Sequence, residues 1–271
     1  YEIVDCDWSS DVCSSDLIVF LAGITSLPDF AATLSAALDN RPDLAMSNVM
    51  GSMVVNLVFL GVADIVYRKA NLEHAAASST NLMLAGLLIV LVTLPLLAIF
   101  MPSVPQWPIH PITPIIIFTY LFGLHLVHRT RVRPMWFPRL TYQTVSDEPE
   151  KHLRSHSTPL WFAFICISLV TAVAGWVLME AAKGIADQTG LPETLVGGLF
   201  TAMATSTPEL VTTIAAIRIG ALTLAVSNIV GTNCFNILVV AAAEEHDQRN
   251  GEGEDKADHG ASPCLESLQA A

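Results

Sequence analysis

Two acidic residues stand where an acid is costly. Asp29 and Glu209 each lie inside a long apolar stretch, and each follows a proline directly. A carboxylate at the depth of a bilayer is unfavourable and by default marks a function. Oxygen-bearing side chains surround both in sequence. Thr25 and Ser26 precede Asp29, and Ser52 and Asn56 stand in the next apolar stretch; Thr205 and Ser206 precede Glu209, and Thr232 and Asn236 follow in the same way. Pro28 and Pro208 each remove a helix hydrogen bond and kink the backbone. Broken backbone inside a membrane is tolerated where it is buried in protein or lines a cavity. Carboxylates, hydroxyls, amide oxygens and freed carbonyls together make an oxygen-rich cage, which is what a hard cation such as calcium prefers. Two carboxylates carry a charge of −2, enough to neutralise one divalent ion or two monovalent ones. The alternative for a single buried acid is a structural hydrogen-bonded pair.

The two acids are copies of one pattern. At a constant offset of 180, Thr25, Ser26, Pro28 and Asp29 match Thr205, Ser206, Pro208 and Glu209. Leu44, Ala45, Ser47 and Asn48 then match Leu224, Ala225, Ser227 and Asn228, and Gly51, Ser52 and Asn56 match Gly231, Thr232 and Asn236. No gap is needed across more than thirty residues. Gly51 and Gly231 suit close approach of helices, as small residues do in membranes.

The elements that carry these residues read as membrane helices. Of the 271 residues, 52% are hydrophobic and 14% charged, whereas a soluble domain is about 25% charged. Seven apolar segments stand out, at about 18–39, 44–67, 81–101, 111–128, 159–182, 192–217 and 221–243. Several approach or exceed the ~20 residues that span a bilayer, and none alternates as a barrel strand does. The expected fold is therefore an all-α polytopic membrane protein. The repeats start on the first and sixth helices, so five crossings separate them and they run in opposite directions through the membrane. An inverted-topology repeat with a midplane site is the build of a secondary transporter.

Domain organisation follows from composition. Residues 18–128 hold the first repeat with four helices, and 159–243 the second with three. The basic connection 129–158 carries Arg129, Arg131, Arg133, Arg139, Lys151 and Arg154. Placing it in the cytoplasm puts Arg68, Lys69 and Arg218 there too, nine of the eleven bases in 18–243, with Arg41 and Lys183 on the other side. The net charge of −12 arises from the ends and says nothing about partners, because 18–243 holds twelve acids against eleven bases. The segment from Asp7 to Leu17 back-translates into a common sequencing-library adapter. Residues 1–17 are accordingly expected to be an assembly remnant, with native sequence starting near Ile18. Residues 244–271 read as a polar disordered or artefactual tail.

The other reactive side chains carry less. Cys6, Cys13, Cys166, Cys234 and Cys264 show no metal or disulfide spacing. Cys166 and Cys234 lie in apolar helices, where packing is their expected role. His110, His125 and His128 lie near helix ends, where a solvated or interfacial role is expected. Nothing offers a nucleophile–base pair or an H-E-x-x-H motif, which points away from an enzyme.

Together these residues resemble the cation/calcium exchanger superfamily, which includes the sodium/calcium exchangers. Its repeats carry G-T-S-x-P-E followed by a G-N-x-x-G-S/T-N element, and the resemblance is strong over 18–67 and 192–243. It implies ten helices in two inverted halves, of which this chain holds about seven, and four central ion sites. It places Asp29 and Glu209 at the two central carboxylates, Thr25, Ser26, Ser52 and Asn56 at the liganding positions of one repeat, and Thr205, Ser206, Thr232 and Asn236 at those of the other. The chain departs from the pattern in four places. Asp29 replaces the usual glutamate, Ile24 the glycine before threonine, Met53 stands where the second repeat has Asn233, and Asn236 stands where sodium/calcium exchangers often carry aspartate. The function implied is an antiporter in the plasma (inner) membrane, moving Ca2+ against Na+. The alternatives are proton-coupled or potassium-dependent calcium exchange, a membrane protein that binds ions without transporting them, or an inactive fragment. The lipid bilayer and these cations are its expected partners; no cofactor and no nucleic acid is expected.

Overall fold

The computed structural model describes residues 23–67, 71–98, 111–132 and 157–242. Residues 1–17 and the 244–271 tail lie outside them, and the connection read as 129–158 is described only at its two helical ends. Every described element is a helix. In chain order they are α1 (Leu27–Leu38), α2 (Pro42–Val66), α3 (Leu72–Ala75), α4 (Ser79–Ala98), α5 (Ile112–Val132), α6 (Ser157–Thr189) and α7 (Glu193–Leu195). A π-helical stretch (Val196–Thr201) then leads into α8 (Ala202–Thr205), α9 (Thr207–Arg218) and α10 (Leu222–Ala242). All seven apolar segments are therefore helical where described. Among the described residues five helices are long and apolar enough to cross a membrane, and the chain is an all-α polytopic membrane protein.

The first and sixth apolar segments differ from the unbroken spans that hydropathy suggests. Both are interrupted, and at equivalent points. The chain is helical at 23–25, turns at Ser26 (φ −77°, ψ −4°) and resumes as α1. It is helical through α8, turns at Ser206 (φ −83°, ψ 0°) and resumes as α9. The cause is Pro28 and Pro208 in the first turn of the resumed helices, where a missing N–H costs least. At 12 residues each, α1 and α9 are about 18 Å long and cannot cross a hydrocarbon core of ~30 Å alone.

The exits repeat as well. α1 ends on Asn40 in the left-handed region (φ 55°) and α9 on Gly220 (φ 83°), one the 180-offset mate of the other. Arg41 N–H donates to the Ala36 carbonyl at 3.0 Å, and Ala221 N–H to that of Ala216 at 2.9 Å. Glycine and asparagine are the residues that tolerate this helix-ending conformation. Each repeat is thus a broken helix, a tight left-handed turn and a long helix.

α10 is the central helix. Its membrane window is 72% buried, against 28% for α2. Cys234, Ile237 and Ala241 pack on Leu87 and Leu91 of α4 and on Ile112 and Ile116 of α5. The outer faces of α2, α5 and α6, with Val58, Phe118 and Val170 among their exposed residues, suit contact with lipid. α1 packs along α6 through Ala32, Ala36, Met179, Ala182 and Ala186. A Cβ at Gly175 would lie 2.4 Å from the Pro28 carbonyl oxygen, so α6 touches the first helix break itself.

Candidate cation site

The site begins with the two breaks. Each puts an acid in the first turn of a helix whose N-terminus lies inside the protein, Asp29 in α1 and Glu209 in α9. The positive end of a helix dipole favours a carboxylate there, while the carbonyl end of the preceding half-helix is oriented to receive a cation. Both acids are fully sequestered, Asp29 at 1% exposure and Glu209 at 0%.

The long helices α2 and α10 supply the rest. Ser52 Oγ donates to Asp29 Oδ1 at 3.0 Å, and Asn236 Nδ2 donates to Asp29 Oδ2 at 3.4 Å. The second of these bonds joins one repeat to the other. So does the 3.5 Å approach of the Thr25 and Thr232 hydroxyls, and the Thr205 side chain also reaches Asp29. Ser26, Asn56 and Ser206 are buried at 0%. All ten residues singled out in the sequence are thus buried; Ser52, Thr205 and Asn236 gather on Asp29, and Thr25 meets Thr232 across the two repeats.

Several oxygens in this region are buried without a hydrogen-bond partner among the described residues. They are both carboxylate oxygens of Glu209, Ser206 Oγ, and the amide oxygens of Asn56 and Asn236. A buried acceptor left unmet costs about 1–3 kcal/mol, more when charged, so the arrangement calls for a positive partner. Among the described residues no three His, Cys, Asp or Glu side chains cluster; a cation here would be held largely by neutral oxygens.

Sequence reasoning missed several residues of this region. Asn48 Nδ2 donates to Thr33 Oγ1 at 3.1 Å and Asn228 Nδ2 to Thr212 Oγ1 at 3.1 Å, each tying an acid-bearing helix to the long helix of its repeat. The repeated Ser-Asn pair was the signal for them. Asn233 accepts from Asn56 Nδ2 at 2.9 Å; its mate is Met53, so its signal was not the repeat but the closing Asn of the G-S/T-N element. Thr213, one turn beyond Glu209, is buried with its hydroxyl unpartnered. The π-helical stretch was also illegible; there Thr201 Oγ1 donates to the Val196 carbonyl at 3.1 Å, and such stretches recur at functional sites.

Glycine sets how closely the helices approach. A Cβ at Gly51 would meet the Gly198 carbonyl oxygen at 2.2 Å, and one at Gly197 would meet Ser47 Oγ at 2.3 Å. α2 therefore lies backbone against backbone on the π-helical stretch leading to Glu209. Gly51 is a packing residue.

Arg41 and Lys183, the two bases expected opposite the basic connection, are each ion-paired with two acids. Lys183 Nζ donates to Ser35 Oγ at 2.7 Å, to Glu180 Oε1 at 2.9 Å and to Asp39 Oδ2. Arg41 pairs with Asp187 at 2.8 Å and Glu193 at 3.2 Å.

Comparison with known proteins places this geometry. The family model described as sodium/calcium exchanger protein matches residues 18–130 and 159–243. Inner membrane protein YrbG of Escherichia coli (strain K12) is 30% identical over 222 residues, covering 80% of this chain and 64% of that protein. Sodium/calcium exchanger MaX1 of Methanosarcina acetivorans is 34% identical over 84 residues, 29% of this chain and 24% of that protein. Human sodium/potassium/calcium exchanger 4 is 32% identical over 88 residues, 31% of this chain and 14% of that protein. The chain thus spans less than two thirds of the length of these relatives. No solved structure matches it.

Proposed function

We propose that this chain, which belongs to the sodium/calcium exchanger protein family, is the ion-binding part of an antiporter that moves calcium across the plasma (inner) membrane in exchange for sodium. One observation carries the reading: two equivalent, fully buried carboxylates stand at two helix breaks, Asp29 with a hydroxyl of one repeat and an amide of the other on it and Glu209 unpartnered. Asp29, Glu209, Thr25, Ser26, Ser52, Asn56, Thr205, Ser206, Thr232 and Asn236 are the residues that would line the site.

The chemistry of exchange follows from charge. Empty, the site holds up to two negative charges out of water, a costly state. One Ca2+ neutralises them; so do two Na+ or two protons. The site is therefore stable only when occupied, and one ion leaves as the other arrives. The names of the archaeal and human relatives, which specify sodium and calcium, support sodium as the counter-ion. Asn236, neutral where such exchangers often carry aspartate, is the observation that favours protons instead. The test is calcium-45 uptake by vesicles containing the full-length protein, with sodium and proton gradients imposed separately. Uptake driven by the sodium gradient is expected. Uptake driven by the proton gradient alone replaces sodium with protons, and no uptake under either overturns the exchanger reading.

A further inference from the structure

We propose that Asn233 is a positioning residue that fixes which end of the Asn56 amide faces the cation. The inference rests on the reading of Asn56 as a ligand, and adds a residue that lies outside the repeated pattern.

A primary amide presents an oxygen at one end and an NH2 at the other, and the two are almost the same shape. For a cation they are opposites. An asparagine used as a cation ligand must therefore be held against rotation about its last bond. Asn56 is buried at 0% exposure, so bulk water does not hold it.

The hold begins at a group that cannot invert. The Met53 backbone carbonyl only accepts, and Asn233 Nδ2 donates to it at 3.3 Å. That fixes the Asn233 amide and turns its Oδ1 the other way. Oδ1 can only accept, so Asn56 must offer its NH2, and Asn56 Nδ2 does so at 2.9 Å. The remaining end of Asn56, Oδ1, is left without a partner among the described residues. Inverting Asn56 alone would set two amide oxygens against each other. Inverting both amides would set Asn233 Oδ1 against the Met53 oxygen. The carbonyl thus dictates the whole chain of bonds, independently of any choice made for either amide.

The second repeat lacks this device. At the offset of 180 the mate of Asn233 is Met53, which has no amide to hold Asn236. Asn236 instead turns its NH2 onto Asp29 Oδ2 at 3.4 Å. The two asparagines occupy equivalent positions and are held in different ways, so the site is asymmetric between its halves.

The test is a double-mutant cycle on the full-length protein, read as the calcium concentration that half-saturates calcium-45 binding at equilibrium. Asn56→Ala and Asn233→Leu are each expected to weaken binding about fivefold, the loss of one correctly presented neutral hydrogen-bonding group. The double variant is expected to bind no more weakly than Asn56→Ala alone. In an Asn56→Asp background both ends are oxygen, one of them facing Asn233 Oδ1, so Asn233→Leu is expected not to weaken binding there. Asn233→Ser, polar but too short to hold both Met53 and Asn56, repeats the experiment if the leucine variant does not fold. If Asn56→Ala weakens binding and neither Asn233 variant does, or if the two effects multiply, the positioning role is overturned. If Asn56→Ala leaves binding unchanged, the assignment of Asn56 as a ligand fails first.

Discussion

At the scale of residues, the contact between Asn236 and Asp29 makes a charge experiment informative. Their 3.4 Å hydrogen bond joins the repeats. Asn236→Asp exchanges the donor for a second carboxylate at about the same place. At an effective dielectric near 20, two unit charges at that separation repel by about 5 kcal/mol. Without cations the variant is expected to melt well below the parent, and sodium or calcium should restore it by more than they raise the parent. Equal melting temperatures in chelator would show that position 236 does not share the site with Asp29. Ser52→Ala is a milder case. It removes the 3.0 Å bond to Asp29, a hydrogen bond to a charged group worth about 1.5–3 kcal/mol. Calcium binding should weaken roughly tenfold or more by that measure; unchanged binding would remove Ser52 from the site.

At the scale of elements, the site exists because two helices stop and restart. The interruption itself was legible, because a proline beside an acid inside an apolar run says that the helix is broken and why. Equally legible was the equivalence of the repeats, which the structure extends to the left-handed turns at Asn40 and Gly220. What escaped the sequence depends on contacts between distant segments. Nothing in Val196 to Thr201 announces a π-helical stretch; it is seated where Gly51, Gly197 and Gly198 let two backbones meet. Asn233 closes the G-S/T-N element, but its contact with Asn56 of the other repeat escaped because its own mate is a methionine. Gly51→Ala should therefore be disruptive, since its Cβ would sit 2.2 Å from a backbone oxygen that cannot rotate away. A loss of about 1–3 kcal/mol or outright misfolding is expected, the usual cost of overpacking. Gly86, with open space around it, is the control: Gly86→Ala should be neutral or stabilising by up to about 1 kcal/mol, as alanine generally is over glycine inside a helix. Similar melting temperatures for the two variants would contradict the backbone-to-backbone packing.

At the scale of the whole molecule, sidedness and exchange are the questions. From charge alone, the 129–158 connection is expected in the cytoplasm and Arg41 and Lys183 on the opposite side. A single cysteine at position 145, in a variant otherwise free of cysteine, should resist a membrane-impermeant label applied from outside; ready labelling there reverses the orientation. Lys183→Met should loosen α6 from α1, because Asp39 and Glu180 lose their common partner. Those acids are half exposed, so the cost is expected to be about 1–2 kcal/mol, well short of the 3–5 kcal/mol typical of a fully buried pair. The central claim is that Glu209, buried and unpartnered, carries half the charge that binds the transported ion. Glu209→Gln keeps the shape and removes that charge, and burying a neutral amide is easier than burying a carboxylate. The decisive measurement is calcium-45 uptake by inverted vesicles containing the full-length Glu209→Gln protein, under sodium and proton gradients in turn. The account predicts that uptake nearly vanishes under both while the protein remains folded in the membrane; uptake near the parent level under either gradient would contradict it.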